Sequence, residues 1–263
     1  KIGMPVLFVL AIVMVIRVFT IGRSEFGLAG ESAWHGLAFM WNPDFSRLSE
    51  SEVWLVATGQ VFFTLSLGQG VISTYASYLK ENEDVTLNGL VTSMTNEFAE
   101  VILGGTIAIP LSVAFFGISA TQQIASGGAF NLGFVSLPVI FQEMPLGQLW
   151  GAMWFFLLFI AGITSSVALA SPSVAFLSDE FGWVRKKSVN VVFVAILICT
   201  SLVIAFFRFG FLDELDYWAG TFGLVVFATI EVIIFAWVFG IDKAWAEMHK
   251  GADLKIPLVF KFI

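Results

Sequence analysis

One cysteine, two histidines and three tyrosines stand in 263 residues, and only 13% of the residues are charged. The lone Cys199 lies within an apolar run, which excludes an intrachain disulfide and argues against a thiolate metal site. His35 and His249 fall in connecting segments with no companion at ligand spacing, so histidine metal chemistry is not expected either. No nucleophile elbow, phosphate-binding loop or metalloprotease helix occurs, and no internal repeat, low-complexity tract or second domain is visible. The net charge of −7 is spread over loops and a few carboxylates inside apolar runs, which gives no warrant for a nucleic-acid partner.

What the chain has in excess is apolar surface. Hydrophobic residues make up 58% of it, against roughly 45–50% in a water-soluble domain. Runs such as Pro5 to Phe19, Val191 to Phe207 and Gly223 to Phe239 hold one ionisable group or none, and are long enough to cross about 30 Å of hydrocarbon. We therefore expect an all-α, multi-pass membrane protein forming a single transmembrane domain over 1–263. Its spans are expected at about 2–21, 53–79, 90–116, 149–177, 191–207 and 218–240. Basic residues set the orientation: nine (Lys1, Lys80, Arg185, Lys186, Lys187, Lys243, Lys250, Lys255, Lys261) fall on one side, and three (Arg23, Arg47, Arg208) on the other. This places both termini in the cytoplasm. The long aromatic-rich connections Gly22 to Glu52 and Gly117 to Gln148 are expected to fold over the membrane domain instead of hanging as linkers. Lys1 is not Met, and Ile256 to Ile263 reads as the opening of another apolar run, so both ends are expected to be cut from a longer chain.

The places where the apolar pattern breaks carry the functional signal. At about 1.5 Å per residue a helix from Val53 to Leu79 is about 40 Å long, and Ser66 is its midpoint. Ser66, Gly68 and Gly70 weaken the helix where lipid offers no replacement hydrogen bonds, so an opened backbone there must face protein or a polar cavity. Small residues also line tight helix crossings. Thr64 and Gln69 are bulkier and more polar than that role needs, and we favour a broken helix, whose free carbonyls can bind a cation. In the next span Asn96 and Glu100 are four apart and share a helical face. Glu97 is read as an interfacial charge and the deeper Glu100 as functional. Thr164, Ser165 and Ser166 are consecutive hydroxyls at mid-span. With the Ala161 carbonyl one turn back, Thr164 and Ser165 can form part of a sodium shell, because hard cations prefer oxygen. Glu231 in the last span is read as a structural acid hydrogen-bonded to another helix in preference to a proton path.

These segments resemble the neurotransmitter:sodium symporter family, bacterial leucine-transporter-like members in particular. The resemblance rests on Gly59 to Gly68, running on through Thr74 to Tyr78, on Asn96 to Gly105, on Ala161 to Ser166, on Asp213 to Gly220 and on Gly240 to Trp245. In register the chain corresponds to helices five through ten of that fold: the second inverted repeat plus the last helix of the first, whose remaining N-terminal part is a missing partner. The resemblance implies sodium ions and no organic cofactor, an amino-acid substrate, and a multi-pass location in the plasma (inner) membrane. It implies that Thr64 and Asn96 serve a first sodium site, and that Ala161, Thr164 and Ser165 serve a second. Phe63, Thr64, Ser66, Gln69, Ser165 and Leu169 would line the substrate pocket, with Phe63 as its lid. Glu100 stands where chloride-dependent relatives carry serine, with Gln60 nearby, which implies chloride-independent transport. Asp216 resembles an outer gate acid, and Tyr78 and Asp179 resemble inner gate elements. Gln69 departs from the pattern, replacing a phenylalanine of leucine-transporter-like members, so a more polar substrate side chain or a water is expected beside it. The reading is a sodium-coupled amino-acid symporter working by alternating access, of which this chain supplies about half the sites. The competing reading is a truncated, non-transporting membrane scaffold or interaction fragment.

Overall fold

The structure, a computed structural model, describes residues 3–21, 31–80 and 82–261. Lys1 and Arg23 of the charge count, and the Gly22–Gly30 part of the first long connection, lie outside the described residues. In chain order the helices are α1 (Gly3–Thr20), α2 (Ala33–Met40), α3 (Ser51–Thr64), α4 (Val71–Ala76), α5 (Val85–Glu97), α6 (Thr106–Phe116), α7 (Ile118–Ser126), α8 (Gly128–Phe130), α9 (Leu137–Glu143), α10 (Gly147–Phe181), α11 (Arg185–Ala205), α12 (Phe211–Leu215), α13 (Leu224–Ile233) and α14 (Ile241–His249). Wider π-helical turns join several of them, at Phe98–Gly105, Asn131–Ser136, Asp216–Gly223 and Ile234–Gly240. The described residues contain no strand.

Among the described residues, five continuous stretches are long and apolar enough to cross a membrane: Gly3–Thr20, Val85–Phe116, Gly147–Phe181, Arg185–Ala205 and Phe211–His249. The stretch around Ser66 is absent from that set because it is two helices, of 14 and 6 residues, neither long enough to span by itself. Large apolar side chains along the long helices stand open, among them Phe159 at 63% and Trp237 at 74% exposure. Apolar surface on this scale is costly in water and at no disadvantage in lipid.

The chain divides into two compact units. The first comprises 1–46 and 97–165. Its core gathers Met14 and Val18 of α1, Ile107 and Leu111 of α6, Leu137, Ile140 and Phe141 of α9, and Trp154 of α10. Helix α2 crosses α6 so closely that a β-carbon on Gly36 would lie 2.5 Å from the Pro110 Cα, so only glycine fits there. The connection from Gly117 to Gln148 is itself largely helical and contributes buried side chains, as expected of a folded cover.

The second unit comprises 47–96 and 166–263. There α3 packs on α13 and on the π-helical turns before it. The turn between α10 and α11 is held by a 2.9 Å hydrogen bond between the hydroxyls of Ser178 and the fully buried Ser188. Away from the apolar spans, Asp84 ties two connections together. One of its oxygens accepts the Leu87 N–H at 2.8 Å, capping α5, and the other accepts the Asp253 N–H at 2.7 Å. Thr86 adds a hydroxyl bond to the Met248 carbonyl. These backbone donors hold the Asp84 carboxyl below the usual carboxylate range.

Candidate functional site

Helix α3 stops at Thr64 because the residues that follow adopt alternating left-handed backbone conformations. Ser66, Gly68 and Gly70 have φ of 56°, 71° and 70°. Glycine reaches this region freely, whereas Ser66 occupies it against the clash of its own β-carbon. The chain turns over at Leu65 to Ser66, with the Ser66 N–H bonded to the Phe63 carbonyl at 3.0 Å, and re-enters a helix at Val71. Gly70 starts that second half: its carbonyl accepts both the Thr74 N–H at 3.0 Å and the Thr74 hydroxyl at 2.8 Å.

The opened backbone is supported from α13. A β-carbon on Gly68 would lie 2.9 Å from the Ala228 nitrogen, so only glycine lets the two backbones approach this closely. Three residues further along α13, the Glu231 carboxylate accepts the Gly68 N–H at 2.9 Å. An N–H released by unwinding a helix has no water to turn to in an apolar interior, and this carboxylate satisfies it. The mid-span acid thus does structural work on the break, as the sequence reading preferred; its partner, a backbone N–H, leaves no mark in the residue pattern.

Two of the sequence-derived sodium ligands meet in the same unit. The Asn96 amide donates to the Thr64 hydroxyl at 2.5 Å and to the Thr64 carbonyl at 3.2 Å. This contact draws the Thr64 carbonyl and hydroxyl oxygens together against one amide nitrogen, and oxygens of this neutral kind are ones hard cations take. Among the described residues no group of three or more His, Cys, Asp and Glu is placed to hold a metal ion. Gln69 and Ser66 are half-buried on the unwound segment, and Phe63 at the end of α3 is 49% exposed. Gln69 Nε2 reaches back to the Phe63 carbonyl at 3.4 Å. Leu169 on α10 is exposed, as are Asp179 and Tyr78. Asp216 opens the Asp216–Gly223 π-helical turns, with its carboxylate lying back along the helix beside Gly220. Gln60 is exposed on α3.

The first unit carries the remaining candidates. Thr164 Oγ1 donates to the carbonyls of Ile160 at 3.0 Å and Ala161 at 2.9 Å, so the hydroxyl and the Ala161 carbonyl lie side by side. Hydroxyls in transmembrane helices commonly make this back-bond, so it brings the two oxygens together without singling out a ligand. Ser165 follows it on the same helix and is exposed. Glu100 is exposed and lies on π-helical turns, not on the plain α-helix that the four-residue spacing from Asn96 assumes.

Comparison with known proteins supplies a frame for this geometry. The model of the sodium:neurotransmitter symporter family matches residues 3–263. An uncharacterized sodium-dependent transporter of Methanocaldococcus jannaschii is 31% identical over 266 residues, covering 100% of this chain and 52% of that protein. Sodium-dependent nutrient amino acid transporter 1 of Drosophila melanogaster is 28% identical over 260 residues, covering 97% of this chain and 39% of that protein. Among solved structures, MhsT in complex with L-phenylalanine superimposes with a TM-score of 0.80 at 31% identity, covering 99% of this chain and 57% of that one. The chain spans about half the length, or less, of these relatives.

Proposed function

Because the chain belongs to the sodium:neurotransmitter symporter family, we propose that the protein it forms part of is a sodium-coupled secondary transporter of amino acids working by alternating access. The observation that carries the reading is the break from Leu65 to Gly70, with Thr64 held by Asn96 on one side of it and Glu231 capping it on the other. Irregular backbone at this depth is tolerated where it lines a cavity, and half-helix ends with free carbonyls suit a substrate and its coupling ion. Its relatives, sodium-dependent transporters and a solved structure holding L-phenylalanine, support the class.

In this reading the chain is a single transmembrane domain with spans at about 2–21, 53–79, 90–116, 149–177, 191–207 and 218–240, and with both ends in the cytoplasm. It represents the second inverted repeat plus one helix of the first. Thr64 and Asn96 contribute to a sodium site in contact with the substrate carboxylate. Ala161, Thr164 and Ser165 contribute to a second. Phe63, Thr64, Ser66, Gln69, Ser165 and Leu169 line the pocket, and Tyr78, Asp179 and Asp216 belong to the gates. Glu100, with Gln60, supplies the negative charge that a chloride ion would otherwise bring, so transport is chloride-independent. Sodium bound beside the carboxylate raises substrate affinity, and the substrate raises sodium affinity by the same factor.

The test is uptake of radiolabelled amino acids by the full-length protein with sodium replaced by choline. Uptake that collapses in choline supports the reading, and equal uptake in both media overturns it.

Coverage of roughly half of each relative favours a second reading for the 263-residue chain taken alone: it is a non-transporting fragment lacking the other half of each site. Sodium-dependent amino-acid binding by the isolated chain would overturn that second reading.

A further inference from the structure

The turn from α10 into α11 concentrates positive charge. Arg185, Lys186 and Lys187 are consecutive, and among the described residues none of them makes an ion pair. Helix α11 runs for 21 residues, roughly 30 Å, so in a membrane its first turn stands at the level of the lipid headgroups. Two contacts fix how that turn is presented. The buried Ser188 hydroxyl pairs with Ser178 at 2.9 Å, which sets the Ser188 and Val192 face inward. The Lys187 ammonium lies 3.8 Å from the centre of the Trp183 ring, and that ring packs on Phe181 of α10 at 5.5 Å. On the opposite, exposed side a groove of about 600 Å³ is lined by Val184, Lys186, Lys187, Asn190, Val191 and Val194. Lys187, Asn190, Val191 and Val194 follow the i, i+3, i+4, i+7 pattern of one helix face, so the groove passes from cationic through amide to apolar within about 10 Å. Asp179 and Glu180 end α10, but neither lines the groove. Among the described residues the Asn190 amide has no hydrogen-bond partner.

We propose that this groove holds one anionic phospholipid of the surrounding bilayer. Its phosphate sits between Lys186 and Lys187, a glycerol-ester carbonyl accepts from the Asn190 amide, and the upper part of one acyl chain lies on Val191 and Val194. The order of polarity along the groove matches the order along a phospholipid, at the depth where a phospholipid presents it. A soluble anion would use the lysines and leave the valines bare, and a zwitterionic lipid brings a cation of its own that the lysines repel. Because Trp183 already holds the Lys187 ammonium in place, less side-chain freedom is lost when the phosphate arrives. The bound lipid then ties the α10–α11 turn to the membrane surface. Nothing in this assignment depends on the substrate or sodium sites; it requires only that α11 crosses a bilayer.

The test uses the full-length protein in phosphatidylcholine nanodiscs, with a bimane label on Ile198→Cys, an exposed position one turn past Val194 on the same face, in a background without other reactive cysteines, Cys199→Ser included. Quenching of the label is titrated with phosphatidylglycerol and with phosphatidylcholine, each brominated on one acyl chain. With both lysines in place, phosphatidylglycerol is expected to half-saturate the quenching at a mole fraction roughly 25-fold lower, about fivefold for each lysine. Lys186→Gln with Lys187→Gln is expected to bring the two lipids level, and Lys186→Arg with Lys187→Arg to keep the preference. Lys243→Gln, on the exposed surface of α14 outside the groove, is expected to leave it unchanged. Equal quenching by the two lipids with both lysines present overturns the inference, as does a preference that survives the glutamine pair or falls equally in Lys243→Gln. A label that neither lipid quenches also overturns it, because another protein segment then covers the groove. Should the glutamine pair not reach the membrane, Lys186→Gln alone, expected to lose about fivefold, takes its place.

Discussion

Glu231 and Gly68 are 163 residues apart in sequence and joined by a 2.9 Å hydrogen bond from the glycine N–H to the glutamate carboxylate. The bond links α13 to the unwound backbone between α3 and α4. Glu231→Ala is expected to destabilise the full-length protein by about 1 kcal/mol, the net worth of one hydrogen bond at a part-buried N–H, and to reduce uptake. Glu231→Gln keeps an acceptor oxygen and should lose less of both. Thermal unfolding together with uptake checks this; equal behaviour of the two variants would remove the capping role.

The Asn96 amide holds Thr64 by two of its oxygens. If these oxygens serve sodium, Thr64→Val should raise the sodium concentration for half-maximal uptake about tenfold, corresponding to ~1.4 kcal/mol. Thr64→Ser, which keeps the hydroxyl, should stay near wild type. Sodium titration of uptake separates these outcomes from a general loss of folding, which would lower maximal uptake without shifting the midpoint.

Glu100→Ser removes the fixed charge proposed to stand in for chloride. The variant is expected to transport in chloride medium and to lose most of its uptake when gluconate replaces chloride. Undiminished uptake in gluconate counts against the assigned role.

Asp84 joins the start of α5 to the segment after α14, and its folded-state carboxyl is depressed by the Leu87 and Asp253 N–H groups it accepts. A depressed acid contributes its stabilisation fully above its unfolded value, about 3.9, and loses it as pH falls through the lower folded value. The clasp should therefore be intact at neutral pH and open only in strong acid. Amide protection at Leu87 and Asp253, taken relative to the intrinsic exchange rate at each pH, reports it directly: high at pH 7, lost only in strong acid, and low at every pH in Asp84→Ala.

Much of this was legible from composition and spacing. The apolar runs announce the long helices, and Ser66, Gly68 and Gly70 announce the break, because glycine and serine at alternate positions are poor helix formers wherever they occur. Oxygen-bearing residues at mid-span point to Thr64, Asn96 and Thr164 for the same reason: polar groups in an apolar run require an explanation. What the sequence does not display is partnership through the backbone. Glu231 could be recognised as an acid needing a partner, yet the Gly68 N–H is present in every non-proline residue and leaves no mark in the one-letter code. The π-helical turns at Phe98–Gly105 are likewise invisible, since a widened turn changes which carbonyl each N–H meets and leaves the residue pattern unaltered. Asp84 had a readable signal, an acid three residues before a helical N–H, but its second bond to Asp253 spans 169 positions.

Ser66 has a consequence of another kind. Of the three left-handed residues in the break it alone carries a side chain, and an L-residue in that conformation is disfavoured by roughly 1–2 kcal/mol. Glycine would relieve the strain and delete the hydroxyl. The chain thus gives up a share of local stability at a position where glycine would keep it, and the hydroxyl retained there is one that the proposed pocket would use.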